Sequence, residues 1–285
     1  MAPNDRFELL ESIPRSSTLT INIAGIPLYL FGVDELNAEQ RKDTTVLFHI
    51  HGRTRTYQDA EEIAHQLLHE WRSRGSATKG LVVATFDNRN HGTRAIDEIS
   101  IQDWASGNPR HAQDMLSTID GIVADVETCV TFLESYVEGI FTPKNFIATG
   151  LSLGGHTTWN ILAKDPRIHA GIVVVGSPNL TSMLEERLAN YKQTQVITAD
   201  TKEWPKSIEK LYRERDRGLE GISGKKILIL NGAIDPLVPT KFTHDWVDKF
   251  ASNNEVIFVE QDATGHWLSL QMVEKIVDWV VETVV

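Results

Sequence analysis

The sequence predicts an α/β fold built on a mostly parallel central sheet of about eight strands, antiparallel at its N-terminal edge and flanked by helices. Three observations carry this. Short apolar runs of strand length alternate with helical patterns along most of the 285 residues. The runs are apolar throughout rather than at every second residue, which is the mark of parallel strands covered on both faces. Two β-like runs between Leu19 and Phe31 are broken by Ala24-Gly25, which reads as an opening hairpin.

The elements follow in order. Val46 to Ile50 is a short strand. Residues 57–74 then place Ala60, Ile63, Ala64, Leu67, Leu68 and Trp71 at helical spacing. Leu81 to Phe86 is a buried strand, and residues 111–137 form a long helix with Leu116, Ile119, Val123, Val126, Val130 and Leu133 on one stripe. Strand Phe146 to Thr149, a helix from Gly154 to Lys164 and strand Ala170 to Val175 come next. Strand Ile227 to Leu230, a helix near 241–251, strand Val256 to Val259 and a helix near 269–284 complete the chain. One segment breaks the rhythm. Residues 177–224 are too long and too charged for a single crossover helix, and carry helical patterns near 181–191 and 205–217. Excursions of this size between sheet strands are commonly functional. The expectation is one domain over residues 1–285, with 177–224 a lid or cap insertion; the alternative is that these helices pad the outer face of the sheet.

Composition narrows the function. Hydrophobic residues make up 41% and charged residues 24%, ordinary for a globular chain. The formal net charge of -11, from 39 acidic against 28 basic residues, repels nucleic acid and anionic membranes. The single cysteine, Cys129, cannot form an internal disulfide, and its neighbours Val126, Val130 and Leu133 mark it as a buried helical thiol. The polar start, Met1 to Arg6, lacks the apolar run of a signal peptide. A cytoplasmic protein acting on a small molecule is expected, with no cofactor and no metal.

The strongest chemical signal is Gly150-Leu151-Ser152-Leu153-Gly154, set between the strand ending at Thr149 and the helix beginning near Gly154. A sharp strand-to-helix turn strains its central residue and leaves no room for side chains two positions to either side. It lifts the Ser152 hydroxyl above the sheet and puts the Leu153 N–H at a helix N-terminus, where negative charge is stabilised. The alternative is a glycine-rich turn carrying a bystander serine.

With this motif in its context, continued by Gly154-Gly155-His156, the chain resembles the α/β-hydrolase superfamily from about residue 19 to its end. It looks most like the esterase and prolyl-oligopeptidase-like serine hydrolase branch. The resemblance makes Ser152 the nucleophile. In His49-Ile50-His51-Gly52-Arg53 it makes the Arg53 N–H the second oxyanion-hole donor beside that of Leu153, with His51 structural. Asp87-Asn88-Arg89-Asn90-His91-Gly92 is similar to the family's D-x-R-G-H-G turn, with Asn90 where glycine is usual, and is expected to hold a loop. Asp235, in Gly232-Ala233-Ile234-Asp235-Pro236-Leu237-Val238-Pro239, stands at the family's acid, and His266, in Gly265-His266-Trp267, at its base. The order Ser152, Asp235, His266 is that of this fold. Asp262, four residues before His266, is the rival acid.

The chemistry asks for these groups. A serine hydroxyl needs a base, an imidazole titrates near neutrality, and a carboxylate fixes the imidazole tautomer. The expected activity is hydrolysis of a small carboxylic ester, lactone, thioester or amide through an acyl-serine, carboxylesterase-like. The same residues could instead serve acyl transfer or C–C bond hydrolysis, or the scaffold could be a non-enzymatic receptor. Substrate contacts are expected from the Arg53 side chain, Trp267, Trp204 and Leu184.

Overall fold

The computed structural model describes residues 7–74, 78–194 and 200–284. The N-terminal Met1 to Arg6 stretch and residues 195–199 of the expected insertion lie outside the described residues. Eight strands form one sheet: β1 (Thr18–Ile23), β2 (Ile26–Phe31), β3 (Thr44–Ile50), β4 (Gly80–Thr85), β5 (Pro143–Leu151), β6 (Ile168–Val174), β7 (Lys226–Gly232) and β8 (Glu255–Gln261). Their order is β1-β2-β4-β3-β5-β6-β7-β8. The β1–β2 and β2–β4 pairs are antiparallel and all others parallel, as the opening hairpin and the apolar runs require. Seven α-helices lie among the described residues: α1 (Tyr57–Arg74), α2 (His111–Tyr136), α3 (Leu153–Lys164), α4 (Leu180–Lys192), α5 (Lys206–Glu220), α6 (Lys241–Phe250) and α7 (Leu270–Val284).

The two faces of the sheet divide the core by the two-residue period of a strand. Val46, Phe48 and Ile50 of β3 pack with residues of α2, α3, α4, α5 and α6. Leu47 between them packs with α1 and α7 on the other side. In β7, Ile227 and Ile229 join the first cluster and Leu228 and Leu230 the second. Both faces are covered, so every second residue is apolar on each side and the strands carry no polar alternation. The excursion between β6 and β7 is α4 and α5. Asp216 of α5 accepts the Leu180 and Thr181 N–H groups at 3.1 and 2.9 Å, capping α4 from a neighbouring helix. No helix among the described residues is long and apolar enough to cross a membrane.

The topology fixes where a site can form. From β3 the chain crosses through α1 to β4, towards β2; from β4 it returns through α2 to β5, on the far side of β3. The neighbouring strands β3 and β5 therefore send their chains to opposite faces, leaving a crevice at their C-terminal ends where such sheets bind ligands.

Candidate active site

Glycine makes the turn between β5 and α3 possible. A Cβ on Gly150 would overlap the backbone of Gly154, and one on Gly154 would overlap the carbonyl oxygen of Ile50. Ser152, between them, is held at φ 58°, ψ -111°, a conformation that costs on the order of 1–3 kcal/mol and persists only because its surroundings fix it. The Ser152 N–H donates to Val174 O at 2.9 Å, tying the turn to β6.

The loops after β7 and β8 bring two further groups to this hydroxyl. His266 Nε2 lies 2.8 Å from Ser152 Oγ, and its Nδ1 lies 2.8 Å from Asp235 Oδ2. The chain of contacts assigns the imidazole tautomer: Nδ1–H donates to the carboxylate, and Nε2 accepts from the serine. The second oxygen of Asp235 accepts the N–H groups of Leu237 and Val238 at 2.8 and 3.0 Å. Burial alone would raise the pKa of Asp235. The hydrogen bond and charge of His266 and those two N–H groups outweigh it and hold the carboxyl below its ordinary value. Asp262 is exposed and makes no contact with His266 among the described residues.

The turn after β3 closes the other side. A Cβ on Gly52 would stand 3.7 Å from Ser152 Cβ, so Arg53 follows directly beside the hydroxyl. The N–H groups of Arg53 and Leu153 have no intramolecular acceptor among the described residues. His51 is buried, with Nδ1 2.8 Å from Gly52 O and Nε2 accepting the Asn88 N–H at 2.9 Å. Burial pushes its pKa down to about 4, so it is a neutral buttress for this turn. The Asp87–Gly92 turn also holds a loop. Asp87 accepts the N–H groups of Tyr57 and Thr93 at 2.8 and 2.7 Å, and Arg89 pairs with Asp125 at 2.7 Å. Asn90 has φ 62°, which is why glycine suits that position.

A cavity of about 220 Å³ opens at Ser152. Ser152, His266, Leu153 and Arg53 line it with Leu237 and Val238 of the Asp235 loop, joined by residues the sequence did not single out: Arg55, Asp103, Met115 and Arg187 among them. Arg187 left a signal: it lies seven residues after Leu180 and four after Met183, a cation on the buried stripe of α4. Trp204 and Leu184, expected at the substrate, are 1% and 0% exposed and do not line this cavity. Trp204 instead stacks on Tyr212 at 5.3 Å, because a large indole gains more from the core between α2, α4 and α5 than from a wet pocket mouth. Trp267 is not among the lining residues either. Larger concavities exist beside α5, of about 340 and 440 Å³, but neither is lined by a histidine.

A family described as PhoPQ-activated pathogenicity-related protein matches residues 85–204. The Bacillus subtilis (strain 168) protein named "Putative esterase YitV" is 26% identical over 269 residues, covering 90% of this chain and 95% of its own. The structure of TT1662 from Thermus thermophilus superposes with a TM-score of 0.65 at 16% identity, covering 94% of this chain and 97% of that one. The Pyrococcus furiosus esterase Pf2001 gives 0.58 at 15% identity, covering 93% and 91%. Strand order, crossovers and these likenesses over nearly the whole length agree on one architecture: the chain has the α/β-hydrolase fold.

Proposed function

We propose that this chain is a serine hydrolase that cleaves a small carboxylic ester, lactone, thioester or amide through an acyl-Ser152 intermediate, with carboxylic esters the foremost class. One observation carries the reading: the continuous chain from Ser152 Oγ through His266 to Asp235, with two acceptor-free N–H groups beside the hydroxyl. The likeness to proteins named as esterases supports the same class.

In this reading Ser152 Oγ attacks the substrate carbonyl carbon while its proton passes to His266 Nε2. The carbonyl oxygen becomes an oxyanion facing the N–H groups of Leu153 and Arg53, where losing one donor costs about 3–4 kcal/mol. Collapse of the intermediate breaks the bond to the leaving group, which departs with the proton from His266. Water then attacks the acyl-serine with His266 as base, releasing the acid and restoring the hydroxyl. Asp235 holds the imidazole in the required tautomer and stabilises the imidazolium throughout. The α4–α5 segment is then a cap within a single domain.

The test is labelling with a fluorophosphonate and turnover of p-nitrophenyl esters of graded chain length. Ser152 is expected to carry the label, and Ser152→Ala to fold normally while losing about 10⁴–10⁶ in kcat. Labelling of the variant to the wild-type level would refute the assignment.

A further inference from the structure

The cavity at Ser152 has an unusual charge for this molecule. The chain as a whole carries a formal charge of -11, yet three arginines, Arg53, Arg55 and Arg187, line this space. Against them stands Asp103, the only carboxylate in the lining among the described residues, since Asp235 is behind the imidazole.

The arginines are incompletely used. Arg187 projects from α4, and its Nη2 donates to Leu237 O at 2.5 Å and touches Met183 Sδ at 3.9 Å. Its Nε and Nη1 have no acceptor, and no carboxylate lies within ion-pair distance, among the described residues. Arg53 donates to Ile101 O at 2.8 Å and meets Asp103 at 3.7 Å, longer than a direct hydrogen bond. Arg55 has no ion pair among the described residues. Packed arginines elsewhere in this protein are neutralised or saturated. Arg94 and Arg89 share Asp125, Arg215 pairs with Asp120 at 2.7 Å, and Arg41 uses Nε, Nη1 and Nη2 on three backbone carbonyls. Burial lowers the pKa of both Arg53 and Arg187; the positive charge of Arg53 lowers that of Arg187 further, and Asp103 offsets these shifts only in part. One carboxylate against three guanidinium groups leaves an excess of positive charge in a half-enclosed space, which a further anion would offset.

The geometry points to an anionic substrate: the pocket arginines bind a carboxylate carried by the ester that Ser152 cleaves. A guanidinium offers paired N–H donors matched to a carboxylate, and such contacts strengthen away from water. A volume of about 220 Å³ holds about seven waters at roughly 30 Å³ each, room for a short acyl chain and a small charged group. The carboxylate can belong to the acyl side, as in a dicarboxylic acid monoester, or to the leaving group; the shared chemistry is an ester with a second, ionised carboxyl a few carbons from the scissile bond.

The inference rests on the hydrolase reading, and the experiment separates the two. Three probes of similar size are compared on the full chain: mono-p-nitrophenyl glutarate, 4-(butyryloxy)benzoate and neutral p-nitrophenyl butyrate. At least one anionic ester is expected to exceed the neutral one in kcat/KM by tenfold or more, and which one does so locates the charge on the acyl or the leaving side. Arg187→Gln is expected to lose about 10–100-fold more on that ester than on the neutral one, mostly in KM. Equal rates on all three probes, or equal losses on charged and neutral esters, overturn the proposal. Calorimetric titration of glutarate into Ser152→Ala, with and without Arg187→Gln, needs no turnover. Binding that Arg187→Gln weakens supports the arginines even if no ester is cleaved and Ser152 takes no label, an outcome that sinks only the hydrolase reading. Absence of glutarate binding together with absence of charge preference sinks the anion site while leaving labelled Ser152 intact.

Discussion

Asp235 reaches His266 because its loop leaves β7 one strand away from the end of β8, and the residues after it turn back to donate two N–H groups to the same carboxylate. That arrangement makes the carboxylate a fixed partner rather than a mobile one. Asp235→Asn is expected to lower kcat by about 10⁴, since an amide presents an N–H where the imidazole needs an acceptor. Asp262→Asn, on an exposed turn, is expected to change it less than tenfold; steady-state kinetics of both variants decides. At this scale the sequence was readable where a residue type and a loop position coincide. Ser152 between two obligatory glycines, His266 before the last helix and the structural turn histidine His51 fall in that class. Asp103 did not, because an acid in an irregular loop looks like solvated surface, and Arg187 left only its place on the stripe of α4, which does not say what the stripe faces. Only the folded chain shows that α4 turns that arginine into the cavity.

Element positions were legible because the apolar periods switch cleanly between strand and helix. The pattern over 57–74 predicts the span found for α1, and that near 205–217 predicts α5 within a few residues. Beyond the Asp87–Gly92 turn, the connection between β4 and α2 was not legible. Its order comes from side chains binding backbone across several residues, as Asn90 accepts the Ile96 and Asp97 N–H groups at 2.7 and 2.8 Å and Asn108 donates to Gln102 O at 3.2 Å. Such Asx bonding has no period to read. The apolar stripes of α4 and α5 were visible, but a stripe does not say whether it meets a pocket or the core. Because Trp204 and Leu184 meet the core, Trp204→Ala is expected to cost about 3–5 kcal/mol and Leu184→Ala about 2–5 kcal/mol of folding stability. Urea denaturation measures the loss, and the ratio of short- to long-chain ester turnover is expected to stay within a few-fold in the folded variants.

The whole molecule encloses many neutral imidazoles. Burial pushes the pKa of His49, His111 and His156 down to about 3 and that of His51 to about 4. Free of the fold, each titrates near 6.5. These folded values are depressed, so between about pH 6.5 and 4 the unfolded chain binds protons that the native chain refuses, and stability rises with pH across that window. The stabilisation is fully present above about pH 6.5 and is lost as the solution is acidified. Unfolding at pH 5 is therefore expected to take up about four protons through these histidines alone. Thermal melts in buffers of different ionisation enthalpy measure that uptake. Tm is expected to fall steadily below pH 6.5, and a Tm flat down to pH 4.5 would contradict the burial. The depressed Asp235 acts in the same direction but lower, its contribution present above about pH 4 and lost as the pH drops further.

β8 is the last strand of the sheet, joined only to β7, and the loop that follows it carries His266. Edge elements open at lower free energy than the central strands they border. Ser152, by contrast, stands after β5, inside the sheet. The imidazole is thus moored to an edge of the sheet and the hydroxyl to its interior. Amide exchange should find the β8 N–H groups less protected than those of β5. A mild denaturant should silence the chemistry while circular dichroism still reports a native helix content.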